Sequence, residues 1–95
     1  MNNTTQSPLL KRRSDLVDTE LEDLRVFLDA ESGKYFGMNQ VASRIWDLLE
    51  TPTSPEQIYA QILSEFKVDQ STCREEVGQF ISELQENGLV TKVTA

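Results

Sequence analysis

The chain reads as an α+β domain of winged-helix-like type, and three patterns predict this class. A hairpin occupies residues 24–38, and three amphipathic segments follow it, each with residues that favour a helix. A short apolar stretch, residues 89–93, closes the chain as a strand or an extended return. Strands that precede a run of helices are typical of α+β domains, in which a small sheet packs against the helices.

The hairpin is the strongest strand signal in the sequence. Its first strand, residues 24–29, alternates between two sets of side chains: Leu24, Val26 and Leu28 on one face, and Arg25, Phe27 and Asp29 on the other. The turn that follows has Gly33 at the position where a positive φ is expected. A weaker alternation within residues 16–22 predicts a further short strand.

The return strand, Lys34–Met38, has two adjacent aromatic residues and a glycine. Side chains alternate across a strand, so Phe36 and Met38 are expected to face inward and Tyr35 and Gly37 outward. A glycine weakens a strand unless another group must come close to it. An outer strand edge beside an apolar groove is a template for a guest strand, so burial and docking both stay open at this point.

Three helices are predicted from apolar spacing and capping residues. The first covers residues 40–50, with Asn39 as its N-cap. Ser54, Pro55 and Gln57 form the start of the second. Thr72 and Glu75 form a capping box for the third, which ends at Asn87-Gly88. The third helix has a wide apolar stripe that could serve a core and a groove together, and it comprises Cys73, Val77, Phe80, Ile81 and Leu84.

Length and charge limit the possible classes of protein. Ninety-five residues make one domain, with residues 1–15 expected to be a flexible tail and 16–93 the folded part. Net charge is −7, and outside the basic run Lys11–Arg13 sixteen acidic residues oppose six basic ones. Such a surface repels phosphate backbones, so a winged-helix nucleic-acid binder is a weak alternative. No apolar run is long enough for a membrane span, and we expect a cytoplasmic protein.

Residues for catalysis are scarce. The chain has no histidine and a single cysteine, so the commonest general base and the Cys/His metal sites are missing. Cys73 lies on an apolar helix stripe and is expected to be a small buried residue. Trp46 is expected to anchor the core rather than stack on a ligand. We therefore expect no enzyme activity, no catalytic residue, no metal and no cofactor.

The ordered motifs resemble those of PqqD-type proteins. These motifs are Leu28-Asp29, Ser32-Gly33, Tyr35-Phe36, Met38-Asn39 and Ile45-Trp46-Asp47-Leu48-Leu49, followed by Ser54-Pro55-Glu56-Gln57-Ile58 and a closing stretch from Glu83 to Val90. The resemblance covers about residues 16–93. PqqD-type proteins include the pyrroloquinoline quinone maturation chaperone and the leader-binding partners of lasso-peptide proteases. The basic run Lys11–Arg13 belongs to none of these motifs.

The resemblance implies a RiPP recognition element, with a three-stranded antiparallel sheet packed on three helices. Such a domain binds the leader of a ribosomal precursor peptide as an added strand and presents it to a tailoring enzyme, which is a leader peptidase, a cyclase or a radical enzyme. Lasso-peptide biosynthesis is the first expectation, and a chaperone for another modified peptide is the alternative. The implied peptide-binding residues are Lys34, Tyr35, Phe36, Gly37, Met38, Arg74, Val77, Phe80, Ile81 and Leu84. A monomer or a weak edge-strand dimer is expected.

Overall fold

The computed structural model describes residues 9–22 and 24–93. Its elements are β1 (Leu9–Arg12), β2 (Val17–Leu21), β3 (Leu24–Asp29), β4 (Lys34–Met38), α1 (Gln40–Leu48), α2 (Pro55–Glu65), α3 (Gln70–Glu86) and β5 (Val90–Val93). Strands β2, β3 and β4 form an antiparallel sheet in that order, and β1 pairs with β5 in a separate two-stranded sheet. The predicted α+β class, with a three-stranded antiparallel sheet and three helices, is confirmed.

The β3–β4 hairpin is closed by local polar contacts. The Asp29 carboxylate accepts hydrogen bonds from the Glu31 amide (3.2 Å) and the Ser32 hydroxyl (3.1 Å). Gly33 has a φ of 75° and donates its amide to the Asp29 carbonyl at 2.8 Å. The predicted glycine turn is therefore confirmed, and it sets the register that places Phe27 opposite Phe36.

The core lies under the face of the sheet that holds Phe27, Phe36 and Met38. Phe27 is fully buried and its ring stacks between Phe36 (4.9 Å) and Trp46 (4.1 Å). The inward parity predicted for Phe36 and Met38 is confirmed, and so is the core position of Trp46. These three aromatic rings join the sheet to α1.

The outer face of the same sheet is apolar. It is made of residues that alternate with the core set, and its exposed members are Val17, Leu24, Leu28 and Tyr35. The alternation in residues 24–29 therefore correctly predicts a strand. The face of β3 that holds Phe27 packs on the core, and the face that holds Leu24 and Leu28 is the outer one. Leu24 lies over Gly37, and a Cβ on this glycine would meet the leucine side chain at 3.4 Å. The absence of a side chain at Gly37 therefore leaves room for the Leu24 side chain of the same sheet.

The three helices begin at side-chain caps. Asn39 accepts the Ala42 amide at 2.8 Å for α1, and Ser54 with Gln57 forms the predicted capping box of α2. For α3 the predicted start at Thr72 is wrong. Asp69 is the N-cap and accepts the Thr72 amide at 2.8 Å, so the helix begins at Gln70. Gly88, with a φ of 69°, ends α3 as predicted.

Part of the predicted flexible tail is a strand. Within residues 1–15, Leu9–Arg12 pairs antiparallel with Val90–Val93, and Leu10 is 2% exposed in the core. Leu10 also exchanges backbone hydrogen bonds with Thr53 at 2.7 and 3.0 Å. This strand is hard to predict from the sequence for two reasons. Leu9 and Leu10 lie among polar residues, and the strand that pairs with them lies near the opposite end of the chain. Residues 1–8 lie outside the described residues.

Among the described residues, no helix is long and apolar enough to cross a membrane.

Candidate functional site: a groove between β4 and α3

An open groove runs between the edge strand β4 and helix α3. One compartment, of about 460 Å³, has β4 residues Tyr35, Phe36 and Gly37 on one side. Its other side is formed by α3 and the turn that follows, through Phe80, Glu83, Leu84, Asn87 and Leu89. A second compartment of about 290 Å³ continues the groove along α1 and α3. Both compartments share Asn39, Ala42, Phe80 and Glu83, and together we call them the β4–α3 groove.

The β4 edge of this groove is a row of backbone hydrogen-bonding groups. β4 pairs with β3 on one side and is the last strand of its sheet. In an antiparallel sheet every second residue of an edge strand directs its N–H and C=O away from its neighbour. An extended peptide placed here can therefore continue the ladder.

The floor of the groove is apolar, whereas the exposed part of its helix wall is largely polar. Phe36 and Phe80 are half-buried, and Leu84 is buried at 2% exposure. Half-buried aromatic rings gain contact area when a guest side chain covers them. The groove therefore combines a hydrogen-bonding edge with an apolar surface.

Five of the ten predicted site residues lie in the groove. They are Tyr35, Phe36, Gly37, Phe80 and Leu84. Lys34 is exposed at the start of β4 but does not line the groove, so its contact with a peptide stays a prediction.

The other four predicted site residues lie elsewhere, and their assignment to the groove surface is corrected here. Val77 (0% exposed), Ile81 (5%) and Met38 (3%) are core residues, because the α3 stripe is turned toward the other helices and the sheet. Arg74 points to α2, where it lies 3.6 Å from Glu56 and covers the Tyr59 ring at 4.9 Å. Since Val77 is fully buried, its replacement by aspartate would test folding rather than binding.

Several groove residues escaped the sequence analysis. Glu76, Gln79 and Glu83 line the groove from α3, Asn87 lines it from the C-cap of that helix, and Ala42 lines it from α1. Helical spacing could have identified some of them, since positions 76, 83 and 87 lie on the same helix face as Phe80. The sequence does not reveal that this face borders a groove, because the β4 edge opposite it is distant in sequence.

A separate polar cleft lies where β2 and β3 meet α1. It has a volume of about 460 Å³ and is lined by Asp18, Thr19, Glu20, Arg25 and Ser43. Arg25 is already paired there, with its Nη2 atom 2.8 Å from Asp47 Oδ1 and its Nη1 atom 2.6 Å from Ser43 Oγ. These contacts tie the sheet to α1, so the cleft has a structural explanation.

Cys73 is buried as expected, at 1% exposure. Burial raises the pKa of its thiol, and the nearby Glu76 carboxylate raises it further. A thiol held protonated in the core is a poor nucleophile. Among the described residues, no group of three His, Cys, Asp or Glu side chains is arranged to hold a metal ion.

Comparison with known proteins points to one family. The sequence profile described as coenzyme PQQ synthesis protein D (PqqD) matches residues 25–90. No curated protein sequence matches the chain significantly. Among solved structures, TbiB1 in complex with the TbiA(beta) leader peptide is 33% identical, with a TM-score of 0.72 over 90% of this chain and 99% of that one.

Two more distant structures have the same fold. A lasso peptide synthetase B1 complexed with the leader peptide is 24% identical (TM-score 0.71; 86% of this chain, 96% of that one). The PqqD truncation of Methylobacterium extorquens PqqCD, a stand-alone RiPP recognition element, is 13% identical (TM-score 0.68; 87% and 88%). The profile match over most of the chain, together with the 33% identity to TbiB1, shows that this protein belongs to the PqqD family.

Proposed function

We propose that this protein is a RiPP recognition element that binds the leader of a ribosomal precursor peptide as an added strand in the β4–α3 groove. The observation that carries the proposal is the outer edge of β4, which pairs with no strand among the described residues and lies beside a groove with an apolar floor, in a PqqD-family chain. TbiB1, 33% identical over 90% of this chain, is known in complex with a leader peptide.

The groove supplies two kinds of binding energy. Backbone hydrogen bonds along β4 give affinity that depends little on sequence, and side chains that reach Phe36, Phe80 and Leu84 give preference for particular leaders. A leader that becomes ordered on binding loses conformational entropy, which offsets part of this gain. We expect a dissociation constant in the micromolar to nanomolar range, about −8 to −12 kcal/mol.

The protein would hold the peptide while another protein does the chemistry. The chain has no histidine, the commonest general base, and its one cysteine is buried, which disfavours a thiol nucleophile. Its partner would be a tailoring enzyme, and a bound leader raises the local concentration of the precursor near that enzyme. We propose a cytoplasmic location, since the single cysteine is free.

Lasso-peptide biosynthesis is the product class we propose first. The motif order resembles that of leader-binding partners of lasso-peptide proteases, and the fold is shared with a lasso peptide synthetase B1. A PqqD-like chaperone for a peptide modified by a radical enzyme is the second candidate, since the fold is also that of a PqqD recognition element. The neighbouring genes distinguish the two: a transglutaminase-like protease beside a cyclase indicates a lasso peptide.

The binding site can be tested with the leader of the precursor peptide encoded beside this gene, labelled with fluorescein and titrated by fluorescence polarization. Phe80→Asp places a charge on the groove floor and should weaken binding at least a hundredfold. Phe66→Asp is the matched control, because Phe66 is also half-buried but lies outside the groove. Thermal melts of both variants exclude unfolding. Equal affinity of Phe80→Asp and wild type would refute the assignment of the groove.

A further inference from the structure

The α3 wall of the groove has two acidic side chains. Glu76 and Glu83 are seven residues apart, which is two helical turns, so they share the face that looks onto the groove. Both are exposed at their present positions. Phe80 lies between them on the same face, and Glu83 lines both compartments.

Within residues 9–22 and 24–93, no basic side chain forms an ion pair with either carboxylate. Among the residues that line either compartment, Glu76 and Glu83 are the only charged ones. Within the part of the chain that the structure describes, the ion pairs involve other acids, such as Asp18, Asp47 and Glu65. The groove therefore presents a negative field above an apolar floor.

A guest strand would bring its side chains into this field. Every second residue of the guest faces the groove and the others face away. A groove-facing acid would be repelled by Glu83 and partly desolvated, whereas a lysine or arginine would gain a charge-assisted hydrogen bond. The long aliphatic stem of either cation can lie against the Phe80 ring while its charged end reaches the carboxylate.

Spacing along α3 fixes where the cation belongs. Glu83 lies one helical turn from Phe80, about 5 Å along the axis, and neighbouring groove-facing residues of a strand are about 7 Å apart. An apolar side chain seated on Phe80 therefore places the next groove-facing residue, two positions along the guest, within reach of Glu83.

We propose that the β4–α3 groove selects basic leader peptides, in which a lysine or arginine two residues from an apolar anchor pairs with Glu83. This inference rests on the proposed function and specifies the chemistry of the peptide that the groove prefers. Glu76 gives the same preference to a second basic residue on the other side of the anchor.

A phage-displayed library of random 12-residue peptides tests the inference without knowledge of the natural leader. Selections are run on wild type, on Glu83→Lys, and on Glu75→Lys, which has the same change in charge on an exposed α3 residue outside the groove. Wild type and Glu75→Lys should enrich a basic residue two positions from an aromatic or aliphatic one. Glu83→Lys should enrich aspartate or glutamate at that position.

The dissociation constants of the selected peptides for wild type and for Glu83→Lys are then measured. Replacing the enriched basic residue with glutamate should weaken binding to wild type at least tenfold and strengthen binding to Glu83→Lys. The inference is overturned if Glu83→Lys enriches the same basic residue, or if peptides that require Phe80 show no basic preference. Selected peptides that bind Phe80→Asp as tightly as wild type, or a library that yields no binder, would instead overturn the proposed function and this inference with it.

Discussion

Arg25 connects the sheet to α1 through charged contacts. Its guanidinium binds the Asp18 carboxylate within the sheet, and it reaches Asp47 and Ser43 of α1. The hydrogen bond to Asp47 is the largest cause that raises the pKa of Arg25, and the bond to Asp18 adds to it. The same bond lowers the pKa of Asp18 below its ordinary value of 3.8. One side chain therefore links strand and helix electrostatically.

We predict that Arg25→Gln lowers the free energy of unfolding at pH 7 by about 1–2 kcal/mol, since both carboxylates lose a charged partner while still partly solvated. The folded-state pKa of Asp18 is depressed, so its contribution is present above the unfolded pKa and is lost as pH falls through the folded pKa. Urea unfolding of both proteins from pH 7 to pH 2.5 should show the difference shrinking below about pH 4. A difference that stays constant across this range would contradict the role of the ion pair.

Elements of the fold depend on single capping and anchoring residues. The N-terminus of α3 is held by Asp69, whose carboxylate accepts hydrogen bonds from the Thr72 amide, the Thr72 hydroxyl and the Ser71 hydroxyl. These bonds lower the pKa of Asp69, with the Thr72 amide as the largest cause. The cap matters for function because α3 forms the helix wall of the groove.

Asp69→Ala should cost about 1 kcal/mol, the usual value for loss of an N-cap, and it should cost more than Thr72→Ala. The physical reason is that Thr72 donates to the cap but does not itself accept a helix amide. Urea denaturation of the two variants in parallel measures both costs. If Thr72→Ala were the more damaging change, the helix would begin where the sequence pattern alone placed it.

Strand β1 pairs with β5 and contacts α1 and the core. Leu10 fills the core, and Arg12 donates from Nη1 to the Trp46 carbonyl at 3.0 Å while its guanidinium covers the Trp46 ring at 4.9 Å. Arg13 lies 3.5 Å from the buried Asp29 carboxylate and bonds the Gly88 carbonyl at 3.3 Å. The basic run of the N-terminal segment is thus part of the folded structure.

Leu10→Ala should lower stability by about 2–5 kcal/mol, as a buried leucine does when truncated to alanine. Leu24→Ala is the matched control, since Leu24 is 48% exposed on the outer sheet face, and it should cost under about 1 kcal/mol. Chemical denaturation at pH 7 compares the two. Similar small costs at both positions would mean that β1 does not anchor the domain.

For the whole molecule, we expect association at the outer edge of β4, with which no other described strand pairs. An outer strand edge next to an apolar surface can pair with the same edge of a second copy when no peptide is bound. We predict a monomer in weak equilibrium with a dimer, which a peptide selected for the groove shifts toward the monomer. Sedimentation velocity with and without that peptide measures this shift. A dimer that persists at saturating peptide would place the dimer contact elsewhere.

Local patterns in the sequence were sufficient to predict most of the elements. The hairpin at residues 24–38, the caps at Asn39 and Ser54, and the glycine stop at Gly88 each follow from a few neighbouring residues. The core role of Trp46 follows from helical spacing. These features depend on contacts within one or two turns, and so a short window of sequence contains the necessary information.

Contacts between distant parts of the chain were decided only by the tertiary structure. Leu10 pairs with Lys92 and Thr53, and Arg25 pairs with Asp47. The β4 edge lies across the groove from Phe80 and Glu83, more than forty residues later in the chain. An alternating strand has two faces that look alike in sequence, and a helix stripe does not reveal which neighbour covers it. Local patterns therefore predicted most of the elements, though not β1, and the family that the chain resembles. The folded chain decided which side chains line the groove, because lining residues are selected by how the elements pack together.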